Sequence, residues 1–174
     1  MELNDAIQLI QNDQLSSSQI TQWADLGCGS GLFTAALSHF LLPGSTIHAI
    51  DYRPPASIKS VKAGVNVKIE EADFVNDPFF FNDLDGFVMA NALHYVKDRP
   101  NFMRKINFAL KPGGSLLIVE YDTDQPVPTW VPYPLSYKSL QQFFESQGYT
   151  RITKLQTHPS LYGRANIYAA LIHR

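Results

Sequence analysis

The residues with the clearest chemical potential lie in Asp25-Leu26-Gly27-Cys28-Gly29-Ser30-Gly31, a carboxylate followed by three alternating glycines. Without a Cβ, a glycine lets the backbone turn sharply and a ligand approach closely. A helix opening just after such a loop points its free N–H groups at the ligand and favours a carboxylate there. Two more acids stand further along. Asp51 comes about twenty residues on, where a carboxylate at a strand end can hold ribose hydroxyls. Asp73, in Ala72-Asp73-Phe74, offers an acceptor for an adenine amino group beside an aromatic face. The spacing is G-x-G-x-G; a dinucleotide G-x-G-x-x-G would need glycine where Leu32 stands.

Those groups need elements to hold them. Leu3, Ile7 and Ile10 recur at helical spacing, and a polar turn at 16–18 leads to a short strand over 23–26. The pattern then predicts a helix over 32–42 stopped by Pro43-Gly44, and a strand over 46–50 ending in Asp51. A short helix is expected over 54–63 with Gly64 as its stop, then strands over 65–69 and 86–90. A helix over 98–110 passes through the turn Lys111-Pro112-Gly113-Gly114 into an apolar strand over 115–121. A proline-rich loop, a helix over 136–147 and strands over 151–156 and 165–173 complete the chain.

Strands alternating with helices imply a parallel sheet covered on both faces. Residues 157–164 are too few for a helical crossover, so the last two strands should pair antiparallel. The expected fold is α/β: a doubly wound, Rossmann-like, mostly parallel seven-stranded sheet with helices on both faces and a C-terminal antiparallel hairpin. The 174 residues fit one domain.

Composition narrows the function. The net charge is −2, and the Lys/Arg block of a nucleic-acid binder is missing. Cys28 is the single cysteine and the five histidines are scattered, so no metal is expected. No apolar run reaches the ~18 residues of a membrane span. The acidic start, Met1-Glu2-Leu3-Asn4-Asp5, is unlike a secretory signal, so the expected location is cytoplasmic.

Taken in order, Asp25-x-Gly27-x-Gly29-x-Gly31, Asp51, Asp73, the stretch from Asp85-Gly86-Phe87 to Asn91-Ala92-Leu93-His94, and Leu110-Lys111-Pro112-Gly113-Gly114 resemble the class I S-adenosylmethionine (SAM)-dependent methyltransferases. The resemblance covers nearly the whole chain and implies an enzyme with SAM as cofactor and S-adenosylhomocysteine as product. It also implies roles. Asp25 and the loop of Gly27, Cys28, Gly29 and Gly31 would hold the methionine part, Asp51 the ribose, and Tyr52 would lie beside the adenine. Asp73 and Phe74 would close over the ring, and Asn91 would lie near the methionine moiety and the methyl group.

Plainer roles stand beside these. Asp73 could cap a turn, and Tyr52 and Phe74 could be rim aromatics over core. Cys28 is most simply a small residue in a tight loop. His94, after the fourth strand, is the candidate general base, since imidazole titrates near neutral pH; the alternative is an exposed or capping histidine. Glu120 and Tyr121, ending the fifth strand, are candidate substrate contacts. The loop 125–134 alternates prolines with Trp130 and Tyr133. It reads either as a stiff lid with Tyr137 behind it, or as a rigid connection packing Trp130 on the sheet edge.

Because SAM carries an activated methyl, in-line alignment with a nucleophile supplies much of the chemistry. Family members that methylate amino groups of nucleobases or glutamine carry Asn/Asp-Pro-Pro-aromatic after the fourth strand; here Asn91-Ala92-Leu93-His94 lacks the prolines. A small organic acceptor is therefore expected. The competing functions are a non-catalytic SAM-binding module and a nucleotide-dependent oxidoreductase. The oxidoreductase predicts Tyr-x-x-x-Lys, whereas Tyr133 is followed by Tyr137 at that spacing.

Overall fold

Side-chain alternation in the central strands sorts the core into two layers. The computed structural model describes residues 1–16, 18–160 and 165–173. Its strands are β1 (Gln22–Leu26), β2 (Thr46–Asp51), β3 (Asn66–Glu71), β4 (Leu84–Ala90), β5 (Leu110–Tyr121), β6 (Arg151–His158) and β7 (Ile167–His173). Its α-helices are α1 (Leu3–Ile10), α2 (Leu32–Ser38), α3 (Arg99–Ala109) and α4 (Tyr137–Ser146). Trp23, Val88, Leu117, Ala169 and Leu171 face a layer containing α1 and α2. Ala24, Phe87, Met89, Leu116, Ile118 and Tyr168 face the opposite layer, with Phe102 and Ile106 of α3 and Leu140 and Phe144 of α4. A period of two along each strand produces this division.

The sheet runs β3-β2-β1-β4-β5-β7-β6. β7 is antiparallel to both β5 and β6, and the other pairings are parallel. The chain leaves β1 toward β2 on one side and later places β4 on the other. That reversal opens a crevice beyond the carboxyl ends of β1 and β4. Seven strands, mostly parallel and closed by an antiparallel pair, match the expected architecture.

Cap chemistry fixes the helix starts. Asp98 accepts from the Asn101 N–H to open α3, and Ser136 accepts from the Ser139 N–H to open α4. Three expectations need correction. The segment 54–63 forms no helix: Pro54 and Pro55 remove two backbone donors, and Ser60 sits at φ 61°. Tertiary contacts hold it instead, with the Lys62 N–H donating to Ser38 Oγ and Lys62 Nζ to the carbonyls of His39 and Leu41. α2 finishes at Ser38, earlier than the expected 42, because the N–H groups of His39, Phe40 and Leu41 turn to the carbonyls three residues back, Ala36, Leu37 and Ser38. Third, Lys111 to Gly114 is not a separate turn but lies inside β5, where the pairing with β4 shifts register between Leu84 and Gly86. The turn at 16–18 and the connection at 157–164 fall partly outside the described residues.

Candidate active site

The loop after β1 is tied to the end of β2. The N–H groups of Gly27 and Cys28 both donate to the Ile50 carbonyl, at 2.8 and 3.0 Å. The Gly29 N–H donates to Asp51 Oδ2 at 2.8 Å, and the Arg53 N–H donates to Oδ1 at 2.9 Å. Asp51 thereby orients the loop beside which it lies. Gly29 adopts φ 54°, and a Cβ built there meets nothing within 4 Å. Its open side belongs to a cavity of about 590 Å³.

That cavity is lined by Gly27, Gly29, Asp51, Tyr52, Asp73, Phe74 and Asn91, all expected at the cofactor, and also by Asn76, Ala92 and Tyr95. Phe74 is fixed edge-on against Phe102, and Tyr52 stands 68% exposed at the rim. The Asp73 carboxylate accepts from the N–H groups of Val75 and Asn76 and from the Asn76 side chain. Slight burial works against its charge, but the Asn76 bonds prevail and hold it below the usual carboxylate range. Asp73 therefore does cap the turn, while also standing on the cavity wall.

Three expected cofactor residues lie off that wall. Asp25 is completely buried beneath the loop, where Thr34 Oγ1 donates to its Oδ2 at 2.5 Å and its Oδ1 has no partner. Burial, opposed by the Thr34 bond, pushes its pKa up to about 7. Burial and the neighbouring Asp25 raise the Cys28 thiol to about 12, the reverse of an activated nucleophile. Gly31 opens α2 at φ 86°, and a Cβ there would lie 2.5–2.7 Å from Ile58. Its bareness makes room for a side chain of this protein, not for a ligand.

A second cavity of about 490 Å³ adjoins the first through two shared wall residues, Asn91 and Tyr95. Asn91, at φ 53°, anchors its N–H on the Val119 carbonyl, and its Oδ1 is buried without a partner. The second wall continues with His94, Tyr121, Thr123, Val127, Trp130 and Val131, and with Ser160 and Ala165, which bracket residues 161–164 outside the described structure. Alternation separates Glu120 from Tyr121 across β5. Tyr121 reaches the cavity, whereas Glu120 is 1% exposed under the 3₁₀ turn Leu93–Tyr95.

Glu120 is thus not placed at the cavity as a substrate contact; it buttresses His94. One carboxylate oxygen accepts the His94 backbone N–H at 3.1 Å, and the other lies 2.7 Å from His94 Nδ1. A carboxylate can only accept, so Nδ1 is the donor in this pair, and in the neutral imidazole Nε2 is the nitrogen left to accept. The ring is 2% exposed and belongs to the cavity wall, so His94 is neither a surface nor a capping histidine.

The proline loop departs from the reading that packs Trp130 on the sheet edge. Val127 and Val131 pair across a tight turn with Thr129 at φ 74°. Trp130 is 70% exposed on the cavity wall, not packed on the sheet edge. Tyr133 stays off the wall: its N–H donates to the His94 carbonyl and its own carbonyl accepts from Arg99, pinning the loop to the histidine turn. Tyr137 also stays off it, packed edge-on against Tyr168 with its hydroxyl on the Ile152 carbonyl. Tyr95, shared by both cavities, was missed in the sequence; its position immediately after His94 was the available signal.

The first cavity fits an adenosyl amino acid on the chain's own geometry. It has open space over Gly29, a carboxylate and aromatics along one side, and an orphaned amide oxygen on Asn91. Among the described residues, no cluster of three or more side chains could hold a metal, and no helix is long and apolar enough to cross a membrane.

Residues 24–118 match the profile of the methyltransferase domain family. Demethylmenaquinone methyltransferase from Staphylococcus aureus is 30% identical over 129 residues, covering 71% of this chain and 53% of that protein. The chain therefore spans about half the length of the curated relatives it matches. The Burkholderia thailandensis 1,6-didemethyltoxoflavin-N1-methyltransferase, solved with its acceptor and S-adenosylhomocysteine, superposes with a TM-score of 0.70 at 14% identity, over 99% of this chain and 77% of that one. Human N-acetylserotonin methyltransferase in complex with SAM gives 0.64 at 18% identity, over 98% and 51%. At these identities the solved structures speak for the fold, and the family profile carries the assignment. The chain belongs to the class I SAM-dependent methyltransferase family.

Proposed function

We propose that the chain methylates a small organic acceptor held in the second cavity, with SAM in the first and His94 as general base. The observation that carries this reading is the junction of the two cavities at Asn91 and Tyr95, with His94, held from behind by Glu120, in the wall beyond it. Bound in the first cavity, SAM supplies a methyl on a sulfonium, its C–S bond breaking as the nucleophile's electron pair forms the new bond to carbon.

The chain's residues bind, orient and manage a proton. Gly29 leaves backbone room for the methionine part, Gly27 lets the loop close on Ala92 and Phe74 at the cavity wall, Asp51 accepts from ribose hydroxyls, and Asp73, Phe74 and Tyr52 border the adenine. Asn91 and Tyr95 set the passage between the cavities and align acceptor with methyl, so that orientation supplies much of the acceleration. His94 Nε2 takes the acceptor's proton while Glu120 stabilises the imidazolium that forms. Asp25 and Gly31 support the loop from beneath.

The test is release of S-adenosylhomocysteine from SAM on addition of a small-molecule extract, compared between the native chain and His94→Ala. Acceptor-dependent release that falls at least a hundredfold in the variant is the expected result. Equal release by both proteins removes His94 from the reaction. Absence of release, despite binding, favours a non-catalytic SAM-binding module.

A further inference from the structure

Resting on the reading that the first cavity takes SAM with its adenine beside Asp73, we infer that Asn76 selects the base, accepting from a 6-amino group and rejecting a 6-oxo purine. Asp73 holds its amide in the one orientation that does so. Asp73 is the acid expected at the adenine amino group, yet most of its capacity is spent inside its own turn. A carboxylate has about four acceptor sites. Oδ1 takes the N–H groups of Val75 at 2.9 Å and Asn76 at 3.1 Å, and Oδ2 takes the Asn76 side-chain nitrogen at 2.7 Å.

Asn76 belongs to the same cavity wall as Asp73, Phe74 and Val75. Slight burial notwithstanding, the Asn76 bonds keep Asp73 below the usual carboxylate range, so it is charged at neutral pH and can only accept. The nitrogen of the Asn76 amide is therefore the atom turned to Asp73, which leaves Oδ1 as the acceptor to present to a ligand. Adenine carries a donor at its six-position, the amino group, and asparagine pairs with adenine through that group. Hypoxanthine carries a carbonyl there, which would meet Oδ1 as a second acceptor with no proton between them. A free asparagine could turn over and serve either base; the Asp73 carboxylate removes that choice. A site built around a hydrogen bond rejects strongly a ligand that cannot make it.

The turn does not depend on the Asn76 amide for its shape. The Asp73 N–H donates to Asp77 Oδ2 at 2.8 Å, and the N–H groups of Asn76 and Asp77 return to the Asp73 carbonyl. Lys105 of α3 donates from Nζ to the carbonyls of Phe74 and Asp77, and that nitrogen lies 4.0 Å from the centre of the Phe79 ring. The wall should therefore survive removal of the amide.

Calorimetric titration of the full chain with S-adenosylhomocysteine and with S-inosylhomocysteine, its 6-oxo counterpart, tests this. The native chain should bind the adenosyl ligand about twentyfold or more tighter. Asn76→Ala should narrow that preference to about threefold while melting close to the native chain. Asp73→Asn, which frees the Asn76 amide to turn its NH₂ toward the ligand, should remove or reverse the preference. A folded Asn76→Ala variant that keeps the native preference would overturn the inference, because the base would then be read without Asn76. Equal binding of the two ligands by the native chain would overturn it as well. Failure of the native chain to bind either ligand would bring down the cofactor reading and this inference together.

Discussion

Replacing Asp51 with alanine removes a carboxylate that serves the glycine loop and the first cavity together. In the native chain it accepts the Gly29 N–H at 2.8 Å and the Arg53 N–H at 2.9 Å, and its remaining lone pairs face the cavity. Two effects should separate. The two backbone donors can turn to water, so folding should lose only about 1 kcal/mol, a melting shift of ~2–4 °C for a domain of this size. The ligand loses a charged hydrogen-bonding partner for its ribose, about 1.5–3 kcal/mol, or roughly 12- to 160-fold in Kd. Asp51→Asn keeps one acceptor and the shape but not the charge, and should fall between native and alanine. Calorimetry with S-adenosylhomocysteine reads the affinity, and thermal melting without ligand reads the stability. Unchanged affinity in the alanine variant would refute the ribose assignment. Equal losses in binding and folding would mean that Asp51 acts only through the loop.

Gly31→Ala should destabilise the fold by about 2–4 kcal/mol, from left-handed strain plus overpacking on Ile58. Adding Ile58→Ala should return ~1–3 kcal/mol of that in denaturant melts; strict additivity would break the contact argument. In Glu120→Gln, the His94 backbone N–H should claim the amide oxygen, leaving the NH₂ facing Nδ1. Nitrogen NMR should then show the His94 proton moved to Nε2; a retained Nδ1–H would contradict the buttress. Asp25 has a folded pKa raised from 3.8 to about 7, so its contribution to stability is full below the lower value and lost as pH rises through the upper one. Relative to Asp25→Asn, the native chain should therefore lose stability between about pH 4 and 8, by at most ~4 kcal/mol. A pH-independent difference in melting would show that Asp25 is not buried as a neutral acid.

Much of this architecture could be read from local signals. The β1–loop–α2 unit, the Asp98 and Ser136 caps and the closing antiparallel pair each rest on residues adjacent in sequence. What was not legible depends on distant partners. The stop at Gly64 suggests a helix over 54–63, but the prolines of that segment and its ties to the end of α2 override it. Gly31 looks like a ligand-contacting glycine until Ile58, 27 positions away by numbering, is seen filling its space. Glu120 reads as a pocket acid because strand ends usually face the crevice. Only the strand alternation and the adjacency of β4 and β5 turn it under His94, 26 residues earlier. Tyr137 is aromatic and near the loop, yet Tyr168 claims its ring across the core layer.

The central claim is that the first cavity takes the adenosyl amino acid, and separate calorimetric titrations with SAM, S-adenosylhomocysteine and NADH test it most directly. The account predicts binding of both adenosyl amino acids near micromolar Kd, about −8 kcal/mol, and none of NADH. Binding of NADH alone, or of none of the three, would contradict it.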